Sequence, residues 1–233
     1  MELASRPVRR IPAYRWHQGH GAAFKVVDGA EIVSRYGTDV EAQSALELAA
    51  LDLSALPRCG FKGPGTVDWL TAQGVVVPPK HNTAAPQTDG SLVLRCGSTD
   101  ILIAGDIAMR TNRPAQLKIS HATAIDGNGY DALREEGYAW FMLLGNKTPS
   151  LLAHVCEVDL RPQVFSDLEI AQTRVANLST IVARWDLGRR YAVHLFFDVA
   201  SSVYFCETIS ELLEKLGGKF IGYDSLSFAS EDL

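Results

Sequence analysis

"GFKGPGTVDWL", Gly60 to Leu70, sets a hydrophobic run against a helix-like one across a joint of glycines and a proline. A phosphate-binding P-loop would need GxxxxGK followed by Ser or Thr, because the lysine and the hydroxyl serve phosphate and magnesium. Here Lys62 precedes Gly63 and Gly65, and Thr66 follows with no lysine between. The stretch therefore reads as a scaffold joint. A strand, "RCGFKG", turns into a helix, "TVDWLTAQ", with Pro64 at the first helical position. Val67, Trp69 and Leu70 face the core, and Gly74 closes the helix.

The same plan recurs eighty residues on. "FMLLGNKTPSLLAHVCEVDL", Phe141 to Leu160, again runs strand, glycine turn, proline and helix, with Gly145 matching Gly63, Thr148 as cap and Pro149 at the first helical position. A hairpin follows each joint. Gly97-Ser98 separates two apolar strands in "SLVLRCGSTDILIAG", and Asp186-Leu187-Gly188 separates two in "STIVARWDLGRRYAVHLFFDV". The second copy ends in "SSVYFCETISELLEKLGG", where Phe205, Ile209, Leu212, Leu213 and Leu216 recur at helical spacing and Gly217 is the stop. The chain is thus predicted to be α+β, with duplicated strand–helix–hairpin–helix units and antiparallel sheets. Residues 1–120 form the first half with an N-terminal arm, and 121–233 form the second, the two intertwining into one unit. The segment from Gly105 to Asp131 reads as a connection between the copies, and Pro78 to Asp89 as the most loop-like stretch.

Totals narrow the chemistry. The formal net charge of −5 disfavours a nucleic-acid binder working through bulk charge. "RPVRR", Arg6 to Arg10, is the single basic cluster. No apolar leader opens the chain and no run of about 18 apolar residues occurs, so a cytoplasmic protein without a membrane span is expected. Cys59, Cys96, Cys156 and Cys206 are scattered through apolar contexts, which reads as buried thiols. His17 and His20 stand three apart without an acidic or thiol partner in sequence, so no metal is expected there. "DGNGYDA", Asp126 to Ala132, has a G-x-G-x-x-A shape but lacks the strand–helix–strand frame of a dinucleotide site.

Several stretches carry a resemblance. "PAYRWHQGHGAAF" (Pro12 to Phe24), "YGTDVEAQSALELAALDLSALPRCGFKGPG" (Tyr36 to Gly65) and the repeated joint resemble the glycine-cleavage T-protein, or aminomethyltransferase, superfamily. The second half looks most like the gamma subunit of heterotetrameric sarcosine oxidase and its N-methylglutamate dehydrogenase relatives. The resemblance implies a T-protein folate-binding-type fold of two α+β subdomains around a central cavity, without the C-terminal β domain of full T-proteins. It places Asp89, Trp185, Tyr223 and Asp224 at a folate-type pocket. The chemistry departs from the family's pattern. Asp89 is the nearby carboxylate of an abbreviated hairpin, "TDGSLVLRC", and Ala229 and Ser227 stand where the enzymes carry a pterin-holding glutamate and an arginine. Only Asp224 or Glu231 remains as a substitute. A pterin's buried N–H edge left without a carboxylate costs about 1–3 kcal/mol. The reading is therefore a non-catalytic gamma-type subunit of a complex that oxidises N-methyl amines. No catalytic residue, cofactor or metal is expected on this chain. The flavin sits on a larger partner subunit, and Arg6, Arg9 and Arg10 touch that partner. The alternative is a stand-alone tetrahydrofolate-dependent aminomethyltransferase.

Overall fold

The computed structural model describes residues 8–37, 41–123 and 128–226. A short helix, α1 (Tyr14–Gly19), and an antiparallel ribbon of β1 (Ala23–Val27) and β2 (Ala30–Arg35) come first. Helix α2 (Glu41–Glu47) then leads into β3 (Ala49–Asp52), which is buried throughout. The first repeat comprises β4 (Arg58–Lys62), α3 (Thr66–Ala72), β5 (Thr83–Pro86), β6 (Leu92–Arg95), β7 (Asp100–Ala104) and α4 (Arg113–Ala122). A link of β8 (Tyr130–Asp131) and α5 (Arg134–Gly137) follows. The second repeat comprises β9 (Tyr138–Leu144), α6 (Thr148–Val155), β10 (Ile170–Val175), β11 (Leu178–Arg184), β12 (Ala192–Asp198) and α7 (Ser202–Leu216), and β13 (Lys219–Phe220) and a 3-10 turn (Tyr223–Ser225) follow.

The duplication is visible in the sheets. One runs β5-β6-β7-β4-β8 and the other β10-β11-β12-β9-β3-β13, so β5-β6-β7-β4 has its counterpart in β10-β11-β12-β9. All pairs are antiparallel except β13 with β3. The joints match in detail. Gly63 and Gly145 both have φ of +107°, a backbone region that side chains rarely adopt. Thr66 N donates to Gly63 O at 3.3 Å and Thr148 N to Gly145 O at 3.0 Å. The edges meet through Ala84 N to Leu168 O, 2.7 Å, and Ile170 N to Asn82 O, 2.8 Å.

Alternation along the strands builds layers. On β9, Trp140, Met142 and Leu144 join a central core with Leu92, Leu94, Leu102 and Ala104 of the facing sheet. Ala139, Phe141 and Leu143 turn the other way, onto α6 and α7. Phe205 of α7 sits 4.8 Å from the Phe141 ring and 4.7 Å from that of Phe197. Burying each such ring contributes about 1.5–3 kcal/mol. The other outer core, Cys59, Phe61, Val93, Ile101 and Ile103, is covered by Trp69, Leu70 and Leu117 from α3 and α4. The order of layers is helices, sheet, core, sheet, helices.

Five expectations need correction. Pro64 lies in the turn, because Gly65, with a left-handed backbone, precedes a helix that starts at Thr66. Thr148 is not a cap: it is the first helical residue, and its buried Oγ1 has no hydrogen-bond partner among the described residues, as is also true of Thr66. The connection after Gly105 contains α4, opened by Asn112, whose side chain accepts from Ala115 N at 3.2 Å, so the first copy also ends in a helix. The loop-like Pro78 to Asp89 contains β5, the strand that joins the two sheets. Pro149, expected at the first helical position, is the second residue of α6, because the helix starts at Thr148. Gly217 acts as read, with φ of +78° after α7.

Candidate functional site

The space between the sheets is filled. Leu51, Trp140, Met142, Ile181 and Phe196 meet Leu94 and Leu102 there. One polar side chain is sealed among them, on β12: His194 Nδ1 accepts the Trp140 indole N–H at 3.1 Å. Burial pulls its pKa down to about 4, so the imidazole is neutral at pH 7. Among the described residues its Nε2 has no hydrogen-bond partner.

A cavity of about 590 Å³ opens where this core reaches one end of the sheets, bounded by Thr88, Ile107, Arg110, Trp185 and Leu187. Trp185 stands 5.5 Å from the His194 ring, between the core and the cavity. The other three residues expected at a folate-type pocket do not line it. Asp89 sits in a neighbouring depression, where Oδ1 accepts from Ser91 N and Oγ at 2.9 and 2.6 Å and Oδ2 lies 3.8 Å from Arg113 Nε. Tyr223 is buried with its hydroxyl donating to Ile107 O at 2.5 Å, and burial raises its pKa. Asp224 is paired with Lys25. Ser227, Ala229 and Glu231 lie outside the described residues, as do Asp126 and Arg6.

The carboxylates that do border the cavity are Asp106 and Asp186, and both are committed. Asp106 accepts from Ala108 N, Arg110 N, Arg110 Nε and Arg110 Nη2 at 2.8 to 3.2 Å. Asp186 accepts from Arg184 Nε and Nη2 at 3.0 and 2.6 Å and from Ala192 N at 3.2 Å. Neither offers an oxygen free of a strong donor to a pterin edge. Asp106 escaped the sequence reading, although an aspartate four residues before Arg110 after a strand is a recognisable local turn.

The N-terminal arm makes in-chain contacts. Arg9 Nη2 donates to Ala55 O at 2.8 Å, and its Nη1 lies 3.4 Å from Glu135. Arg10 pairs with Glu31 at 3.1 Å and lies 4.3 Å over the Tyr14 ring. Trp16 stacks on His20 at 3.9 Å and meets Phe220. The sequence showed no local partner for Arg9 and Arg10, and the fold supplies remote ones.

His17 also has partners that sequence could not show. Fully buried, it joins Asp52 through Nε2 at 3.0 Å and the Tyr36 hydroxyl through Nδ1 at 2.5 Å, tying α1 to β3. Among the described residues no group of three or more His, Cys, Asp or Glu is placed to hold a metal. Burial raises the pKa of Cys59 and Cys206 and pushes that of Cys96 up to about 12, which marks inert thiols. No helix among the described residues is long and apolar enough to cross a membrane.

Two duplicated half-sheets facing each other across a filled core define an α+β fold that solved structures share. No known family model and no curated protein matches this sequence. A chain of the heterotetrameric sarcosine oxidase from Corynebacterium sp. U-96, in complex with pyrrole 2-carboxylate, is similar over 95% of this chain and 98% of that one, with a TM-score of 0.64 and 16% identity. The glycine cleavage system aminomethyltransferase T from Bartonella henselae is similar over 94% of this chain, with a TM-score of 0.70 and 13% identity. The present chain spans 61% of that enzyme's length. The fold is the one that these two solved structures share.

Proposed function

We propose that this chain is a non-catalytic, gamma-type subunit of a cytoplasmic, sarcosine-oxidase-like hetero-oligomer that oxidises N-methyl amines, with a flavin on a larger partner. The observation that carries this reading is the state of the T-protein cavity. Its interior is packed with Trp140, Met142 and Phe196, and its bordering carboxylates are bound to Arg110 and Arg184. Freeing either carboxylate for a ligand would break charge-assisted hydrogen bonds worth about 1.5–3 kcal/mol each. The groups present therefore do not fit tetrahydrofolate, and no chemical step is assigned through it. The similarity to a chain of a heterotetrameric oxidase supports a role within an assembly.

The second reading, a stand-alone tetrahydrofolate-dependent aminomethyltransferase, draws on the exposed part of Trp185 beside a cavity of about 590 Å³, a surface on which a ring could stack. Calorimetric titration separates the two. The purified chain is expected to give no saturable heat with tetrahydrofolate at tens of micromolar. A dissociation constant of a few micromolar or tighter, about −7.5 kcal/mol, overturns the subunit reading.

A further inference from the structure

At the other end of the sheets lies a cleft of about 520 Å³ that the reading above does not use. Lys62 of β4, Arg134 of α5 and Arg174 of β10 reach it from three elements, against Asp100 and Glu157. Its floor includes Ile181 and Phe196, and Tyr138 forms part of the wall.

Arg134 is held there by construction. Its side chain crosses the middle of β4 at Gly60, where a Cβ would collide with Arg134 Cγ. A glycine inside a strand weakens it and marks a close approach. The guanidinium rests 4.5 Å over the Tyr138 ring, and its Nη2 donates to both oxygens of Asp100 at 2.8 and 3.1 Å. Only 9% of the residue is exposed, and its Nε is buried with no hydrogen-bond partner among the described residues. Lys62 Nζ is 3.3 Å from the same Asp100, which therefore serves two cations. No described residue pairs with Arg174, which is exposed.

From this arrangement the geometry points to an oxyanion-binding site: a carboxylate or phosphate group of a small organic molecule held by Arg134, Lys62 and Arg174. One carboxylate cannot neutralise two cations, Glu157 stands exposed at the rim, and a guanidinium fixed in a pocket beside a lysine and a second arginine favours a planar or tetrahedral oxyanion. The site is independent of the subunit reading and lies at the opposite end of the sheets from the Trp185 cavity.

The test uses the full chain at constant ionic strength, with inorganic phosphate and benzoate as separate probes against chloride. Stabilisation that saturates with either probe is expected, with affinity falling roughly tenfold in Arg174→Gln and in Lys62→Gln. Arg161→Gln, a remote surface arginine paired with Asp159, should leave it unchanged. The phosphate and benzoate arms tell which oxyanion the site prefers. No saturable effect of either probe up to about 50 mM, or equal effects in wild type and both cleft variants, overturns the proposal.

Discussion

Gly145→Val is expected to abolish stable folding or to lower stability by at least about 4 kcal/mol. Two costs add. The residue sits at φ +107°, which a β-branched side chain adopts only under strain. A Cβ there would also lie 2.5 Å from the carbonyl carbon of Glu47, 2.6 Å from its oxygen and 2.8 Å from Leu48 N. Those are backbone atoms, fixed by Asn146 N to Leu46 O at 3.1 Å and Lys147 N to Glu47 O at 2.8 Å, so they cannot give way without opening the start of β3. The matched Gly63 has the same φ, but its Cβ would meet the Tyr130 ring at 3.3 Å, and that ring can move. Gly63→Val should therefore cost only about 1–3 kcal/mol. Urea unfolding of both variants reads the difference. A Gly145→Val midpoint equal to wild type would remove the physical basis of the repeat.

The second large effect concerns Arg58, 1% exposed and without a carboxylate partner among the described residues. Its Nε donates to Tyr138 O at 3.1 Å, and its Nη1 to Ser54 O and Leu56 O at 3.1 and 2.8 Å. Its Nη2 donates to Glu135 O at 2.9 Å and also to Tyr138 O. One side chain thus stitches the turn after β3 to the start of β9, across the two halves. Burial lowers its pKa to about 10, so the cation persists at neutral pH. Arg58→Met keeps the stem but leaves buried carbonyls without donors, and a loss on the order of 3–5 kcal/mol is expected. Arg58→Lys should recover only part, because one ammonium cannot reach four carbonyls. A denaturation midpoint for Arg58→Met that implies a loss below about 1 kcal/mol would show that water or rearranged backbone satisfies these groups.

What was legible in the sequence was local. The glycine joints, both hairpins and α7 each announce themselves within one stretch, through φ-permissive glycines, apolar alternation or an i, i+4 stripe. Helix α4 did not, because only Pro114 and Leu117 of its residues are buried, so the apolar stripe is too sparse to read. Strands β5 and β10 alternate weakly, and Pro86 ends the first of them. Of the candidate site, Trp185 was placed at a cavity, whereas Tyr223 and Asp224 turned out to be tied to Ile107 and Lys25. Such pairings join residues more than a hundred positions apart, as with Arg9 and Glu135, and no spacing rule encodes them. The strand glycine at Gly60 was visible, but its reason, the Arg134 stem lying across it, exists only in the folded chain.

The most direct test of the subunit reading is native mass spectrometry of the tagged chain purified from its own cells. The account predicts a stoichiometric hetero-oligomer containing a larger flavoprotein, with flavin released when the complex is denatured. A chain that emerges alone, or only with copies of itself, contradicts it.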